Sequence, residues 1–483
     1  MPVSQSFALA HTASAQAAPN APALVFPDQT LSHLQLCRLG QAFAQRMRQA
    51  GVERGTRVQL KTPDPTLLLA VLLGTSWLGA QFVPFSGEGS TPDAIKPSHV
   101  LFDPRQREAP NEGAVVIDTE WSPACTPEFD ASLAPNCDAP WLWVHTTGTT
   151  GNPKFLSLSQ EMVVARSLAV SDEFRSDSRH VLLAHCYSRP FLARAAAALI
   201  NGSSLYFDLS PKDWHGAGIS MISGSRALIN TVLGETVLSP RVARLELAGS
   251  RLPDHEAINL LKSFQIVDDT YGASETSKTY SGLWQDDDLG QPFVVGKARD
   301  SDVEIIGADE KPVPVGERGI VRIHNPYMCA GYLNDAKASA DSFRDGWFYP
   351  GDVAWLDDKR RLHIANRTDH VVNIMGNKVN AFAIDQVLRA TKGIKDAICF
   401  RNPKSGAIDE LFAFIVFEEG ANRLQAVVTG KIAISKRFGD EMIPRVMQPV
   451  AVVPRKSDGE PDRQACADMV IKVAANRQGQ ASE

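Results

Sequence analysis

The chain has 483 residues, more than one hydrophobic core usually supports, so two or more domains are expected. Hydrophobic residues make up 44% and charged residues 22%, the composition of a soluble globular protein rather than a disordered or membrane-embedded one. A net charge of −6 and a sequence pI near 6.0 argue against nucleic acid as the main partner. The scattered Cys37, Cys125, Cys137, Cys186, Cys329, Cys399 and Cys466, with no C-x-x-C pair, argue against a disulfide framework or a zinc site.

The N-terminal stretch MPVSQSFALAHTASAQAAP lacks the positive start and continuous apolar run of a signal peptide, so a cytoplasmic location is expected. Leu36, Leu39, Phe43 and Met47 recur at helical spacing, Gly51 closes that helix, and RVQLK follows as a short strand. The most apolar run, LLLAVLLGTSWLGAQFVPF from Leu67, contains Thr75, Ser76 and Gln81 and ends against Pro84, short of the roughly 20 apolar residues that span a bilayer. It reads as a buried helix running into a strand, with no membrane span. From Asp103 to Pro140 the composition turns polar apart from AVVID, as in a surface connection.

HVLLAHCY, SSLYFDL and ALINTVLG continue an alternation of apolar strands and amphipathic segments, which predicts α/β layering. After Gly296, SDVEIIG, GIVRIHN, FYPGDVAWLDD and RLHIANR alternate at period two and predict a β-rich subdomain. Beyond NRTDHVVNIMGNKVN come the helix AFAIDQVLRATKG and the strands AICFRN and LFAFIVFEE, a small α+β domain. The expected division is 1–367 and 368–483.

The stretch TTGTTGNPKF carries the first chemistry. Glycines let a backbone bring its N–H groups close to an anion, threonine hydroxyls add donors, and a lysine adds a mobile charge. Thr146, Thr147, Gly148, Thr149, Thr150, Gly151 and Lys154 are therefore candidate phosphate contacts, although the pattern is not a Walker loop. Tyr271 offers an aromatic face to a purine, and Glu275 offers the hard oxygen that Mg²⁺ shared with phosphates prefers.

These segments together resemble the adenylate-forming (ANL) superfamily of acyl- and aryl-CoA ligases, peptide-synthetase adenylation domains and luciferases. TTGTTGNPK is similar to its phosphate loop, DDTYGASETS to its Y-G-x-T-E motif, GWFYPGDVA to its G-W-x-x-T-G-D motif, and NRTDHVVNIMGNKVN to its G-R-x-D-D-x-I-K-x-x-G motif, in family order along nearly the whole chain. The resemblance implies a large N-terminal α/β domain with a β-rich subdomain and a small mobile C-terminal α+β domain. It implies ATP and Mg²⁺ as cofactors. Thr270, Tyr271, Gly272, Ser274, Asp352 and Arg367 then fall at nucleotide contacts, Asp352 on the ribose hydroxyls, and Asp369 at the interdomain hinge. Ala248 and Gly249 match the segment bordering adenine and acyl group. His185, Cys186 and Tyr187 are similar to the His-Asn-Tyr run of hydroxybenzoate-type aryl acid ligases, which implies an aromatic carboxylic acid as substrate; a fatty acid is the alternative.

The chain departs from the family at its last motif, P-x-x-x-x-G-K. In VPRKSDGEPDRQA, Glu460 stands where that lysine falls. Exchanging a cation for an anion beside a triphosphate reverses a Coulomb interaction of about 4 kcal/mol per close pair at an effective dielectric of about 20. Lys456, Arg455 and Arg463 are candidate substitutes. The alternatives are an enzyme confined to the thioester half-reaction and a non-catalytic nucleotide-binding relative. Lys431, Lys436, Arg437, Arg445, Arg455 and Lys456 make the C-terminal part locally basic, suited to an acyl carrier protein or to coenzyme A. A homodimer is left open.

Overall fold

The computed structural model describes residues 5–84, 95–105, 114–117, 137–146, 154–249, 252–307, 309–367, 371–374, 377–403, 410–455 and 462–479. Its helix ends follow from local chemistry. Ser32 and Gln35 form a reciprocal capping box that starts His33–Gln49. Asp64 caps the apolar helix Pro65–Leu78, Pro65 occupies its first turn, and Gly79 ends it in the left-handed conformation before the strand Gln81–Pro84. That is the buried helix and strand expected from the apolar run. No helix among the described residues is long and apolar enough to cross a membrane.

Two large sheets carry the N-terminal part. In the nine-stranded sheet the strands run in the spatial order 292–298, 277–286, 264–273, 242–248, 221–224, 179–183, 204–206, 22–25 and 30–32. Its central strands are parallel and its margins antiparallel. From 179–183 the chain steps to one side for 204–206, then returns to the other for 221–224, so the order reverses there. The second sheet has six strands, in the order 115–116, 99–102, 57–61, 81–84, 140–146 and 154–159. One continuous core joins both sheets through helices: Leu24, Leu182 and Leu205 from the first, Trp141, Leu142 and Leu158 from the second, and Phe7, Phe43, Leu69 and Phe191 from the helices.

Strands 302–306, 319–324, 343–344, 347–348, 352–356 and 362–367 form the β-rich sheet expected after Gly296, with a core of Ile305, Val321, Ile323, Phe348 and Ala354. The C-terminal part builds its own cores around strands 394–401, 411–417 and 446–449. The helices Arg423–Phe438 and Arg463–Gly479 join Ala381–Arg389 there, two elements beyond the one helix and two strands read from the sequence of this region.

Candidate active site

In open α/β sheets ligands bind beyond the carboxyl ends of the strands, where the strand order reverses. A cavity of about 120 Å³ lies at this place. Arg189 and Pro190 reach it just after the strand Arg179–Leu183, Ala248 and Gly249 from the end of Val242–Ala248, and Thr270 and Gly272 from the end of Phe264–Ala273. The structure thus brings together Ala248, Gly249, Thr270 and Gly272, which the sequence places in two separate motifs.

Glu275 sits in the tight turn of the hairpin between Phe264–Ala273 and Ser277–Asp286. The hairpin is pinched: a Cβ on Gly272 would fall 2.2 Å from the Ser277 carbonyl oxygen, so only glycine fits. Arg166 holds the turn from behind, donating from Nη1 to the Ser274 carbonyl at 3.0 Å, from Nη2 to the Glu275 carbonyl at 2.9 Å and from Nε to the Tyr327 carbonyl at 3.1 Å. The Glu275 side chain is buried and its Oε1 accepts from the Tyr332 hydroxyl at 2.7 Å. The Lys154 ammonium lies 4.8 Å from the centre of the same Tyr332 ring, so Tyr332 links the lysine to the carboxylate.

Among the described residues no group of three His, Cys, Asp or Glu side chains could cage a metal. Glu275 fits Mg²⁺ on these terms, because that ion takes one or two carboxylates and completes its shell with phosphate oxygens and water.

Asp352 is buried at the start of Asp352–Leu356, and its Oδ2 accepts from the Tyr271 hydroxyl at 2.5 Å. The backbone of Arg367 is its register partner on the neighbouring strand. Tyr271, Asp352 and the Arg367 backbone therefore meet, although Tyr271 and Asp352 are distant in sequence. Thr146 pairs in register with Lys154 across the two strands that lead into and out of the Thr/Gly stretch. Thr147, Gly148, Thr149, Thr150, Gly151, Asp369, Lys456 and Glu460 lie outside the described residues.

Residues 11–333 match the sequence profile of the family described as AMP-binding enzyme. The chain belongs to that family. This AMP-binding enzyme is 27% identical, over 94% of its length, to the delta-poly-L-ornithine synthetase of Acinetobacter baumannii, of which it spans 36%. It is 24% identical, over 68% of its length, to the sulfoacetate–CoA ligase of Cupriavidus necator, of which that match covers 67%. Its fold is that of the O-succinylbenzoate coenzyme A synthetase MenE of Bacillus subtilis in complex with AMP, with a TM-score of 0.78 at 18% identity, covering 94% of this chain and 97% of the other.

Of the residues chosen from sequence for the acid, Ala248 and Gly249 line the cavity of this AMP-binding enzyme, and His185, Cys186 and Tyr187 do not. His185 is exposed, and its carbonyl accepts from the Ser188 amide at 2.8 Å in the turn before Arg189–Asn201. Cys186 directs its thiol at the Thr62 carbonyl, 3.6 Å away, and the Tyr187 hydroxyl meets the Thr62 backbone. The cavity wall instead combines apolar side chains, among them Leu142, Val163, Phe174 and Leu192, with a set of charged ones. Arg194 grips Glu246 with two nitrogens, at 2.5 and 3.2 Å. Lys278 reaches Glu173 and Asp268, each at 2.8 Å. Burial by itself would raise the Asp268 carboxyl, but Lys278 and Arg244 outweigh it and hold the group below the usual carboxylate range. Burial would likewise lower the Lys278 ammonium, and Asp268, Glu246 and Glu173 raise it instead.

Sequence reasoning missed Arg166, Arg189, Arg194, Glu246, Lys278 and Tyr332. Arg189 and Arg194 lie in the helix that follows His185, Cys186 and Tyr187, so basic residues in an otherwise apolar helix were the available signal. The others become neighbours only through the sheet.

Proposed function

We propose that the chain activates a small carboxylic acid with ATP and passes the acyl group to a thiol, that of coenzyme A or of an acyl carrier protein. One acid oxygen attacks the α-phosphorus, the bond from that phosphorus to the bridging oxygen breaks, and pyrophosphate leaves with the electron pair. A thiolate then attacks the acyl carbon and AMP departs. Bound Mg²⁺ supplies charge neutralisation on the phosphates. Glu275 would hold it, Lys154 would place its cation by the phosphates, and Asp352 and Arg367 would position the nucleotide. The segment 368–483 turning about Asp369 between the two steps completes the reading.

The observation that carries this proposal is the arrangement of Glu275, Tyr332 and Lys154 beside a cavity at the reversal of strand order. Size supports a small acid over a long acyl chain, since the cavity holds only about 120 Å³; the hydroxybenzoate type is the aromatic case that the motif resemblance implies. Charge disfavours an amino acid: the carboxylates lining the cavity, Glu173 and Glu246, are already paired with Lys278 and Arg194, leaving neither to receive an α-ammonium group.

Acid-dependent ATP–pyrophosphate exchange tests the proposal. Exchange with a small acid is expected, and Glu275→Gln is expected to lower it at least about a hundredfold. Conversion of supplied acyl-adenylate to thioester without any exchange would replace the proposal by the half-reaction alone.

A further inference from the structure

Arg189 stands apart from every other cation in the cavity wall. Its Nε is sealed from solvent with no hydrogen-bond partner, and among the described residues no carboxylate pairs with its guanidinium. Arg194 has Glu246, Lys278 has Glu173 and Asp268, and Arg166 has a set of backbone carbonyls. Three features make the position unfavourable for a lone cation. It is desolvated. It opens the helix Arg189–Asn201, where the backbone dipole is positive and the first turn holds no acidic residue. Its charged neighbours Arg166 and Arg194 repel it, with Glu275 opposing; burial together with these neighbours draws the guanidinium down to about 9, still charged at neutral pH.

A half-buried cation with a sealed, unpartnered Nε on the wall of an acid cavity is completed by an anion of the ligand. We propose that the acid carries a second anionic group, carboxylate or sulfonate, besides the carboxylate that is activated, and that Arg189 holds this second group. The inference rests on reading the cavity as the acid site. A guanidinium grips both oxygens of a carboxylate through parallel hydrogen bonds and engages the lone pairs a nucleophile needs. It therefore suits an anion that stays chemically unchanged, while the reacting carboxylate keeps its oxygens for phosphorus. The substrate class becomes a short or monocyclic diacid or sulfo-acid.

The experiment is pyrophosphate exchange by the full chain on size-matched pairs: benzoate against benzenedicarboxylates and sulfobenzoates, butyrate against succinate. The dianionic member is expected to lead by about tenfold or more in kcat/KM. Arg189→Gln is expected to lower the dianion about a hundredfold, mainly through KM, and the monoanion less than about threefold, with Arg189→Lys recovering part of the loss. Equal or better use of the monoanions, or an equal loss for both classes in Arg189→Gln, overturns the inference and places Arg189 on the reacting carboxylate. If no acid supports exchange, the adenylation reading has failed and calorimetric titration with the same dianions decides: binding that Arg189→Gln abolishes upholds the anion site, and absence of binding overturns it.

Discussion

Two arginines with little access to solvent, one in the C-terminal part and one in the cavity, are in opposite situations. Arg463 opens the helix Arg463–Gly479 and donates to Asp385 Oδ2 at 2.6 Å and to the Cys399 carbonyl at 2.5 Å, while Asp385 also accepts from the Cys399 amide at 2.5 Å. That triangle ties a helix, a strand and a second helix into one unit. Arg455, the other described candidate for a substitute cation, pairs with Asp396 in the same unit. Among the described residues Arg189 has no such partner. A buried cation that the fold completes is part of the scaffold, and one that the fold leaves incomplete is a place for a ligand.

The largest expected effect attacks the completed arginine. Asp385→Ala leaves Arg463 desolvated and unpaired and is expected to destabilise the C-terminal unit by about 3–5 kcal/mol, read by chemical denaturation. A loss under about 1 kcal/mol would show that the triangle is dispensable and the contrast false.

Next in size is a neutral group in the same region as Arg189. His180 is fully buried on the strand Arg179–Leu183, stacks on Phe174 with ring centres 4.4 Å apart, and among the described residues has no hydrogen-bond partner at either ring nitrogen. Burial draws its pKa down to about 4, with Glu246 opposing, so it is neutral in the folded protein. As pH falls the unfolded chain takes up this proton first, near pH 6.5. Stability is therefore intact above about 6.5 and declines towards pH 4, by about 3 kcal/mol from this residue. Urea denaturation across that window should show the slope, and His180→Phe should reduce it, with His11, drawn down to about 3 by burial and by His33, and His33, also drawn down by burial, contributing to what remains. An unchanged slope in His180→Phe would move the acid sensitivity elsewhere.

The smallest expected effect has the opposite sign to the first. Arg189→Met removes an uncompensated charge at similar volume and is expected to leave ligand-free stability unchanged or raise it by about 1 kcal/mol, whereas Arg463→Met should lower it. Thermal melts of the two variants side by side give the comparison; a clear destabilisation by Arg189→Met would mean that the fold does use that charge.

The apolar run from Leu67, the period-two strands after Gly296 and the helix from Ala381 were legible because local periodicity and caps decide them. Motif spacing marks Glu275, Asp352 and Lys154, and the structure adds that Glu275 and Lys154 meet at Tyr332 and Asp352 meets Tyr271. On the acid side, Ala248 and Gly249 reach the cavity, whereas the turn that ends at Ser188 directs His185, Cys186 and Tyr187 to solvent and to the Thr62 backbone. Only four residues beyond His185, Arg189 enters the cavity because it opens the next helix.

By itself the sequence determined the layered α/β class, the ordered nucleotide motifs and the departure at Glu460, all properties of residues close together in the chain. Only the tertiary structure decided which charges are completed. Arg194 and Glu246 are 52 positions apart, Lys278 and Glu173 are 105, and Arg463 and Asp385 are 78, and no local rule pairs groups at such distances. Whether such a cation is scaffold or binding site depends on what the sheet and helices bring against it, and for Arg189 they bring Arg166, Arg194 and a cavity, with Glu275 only partly opposing them.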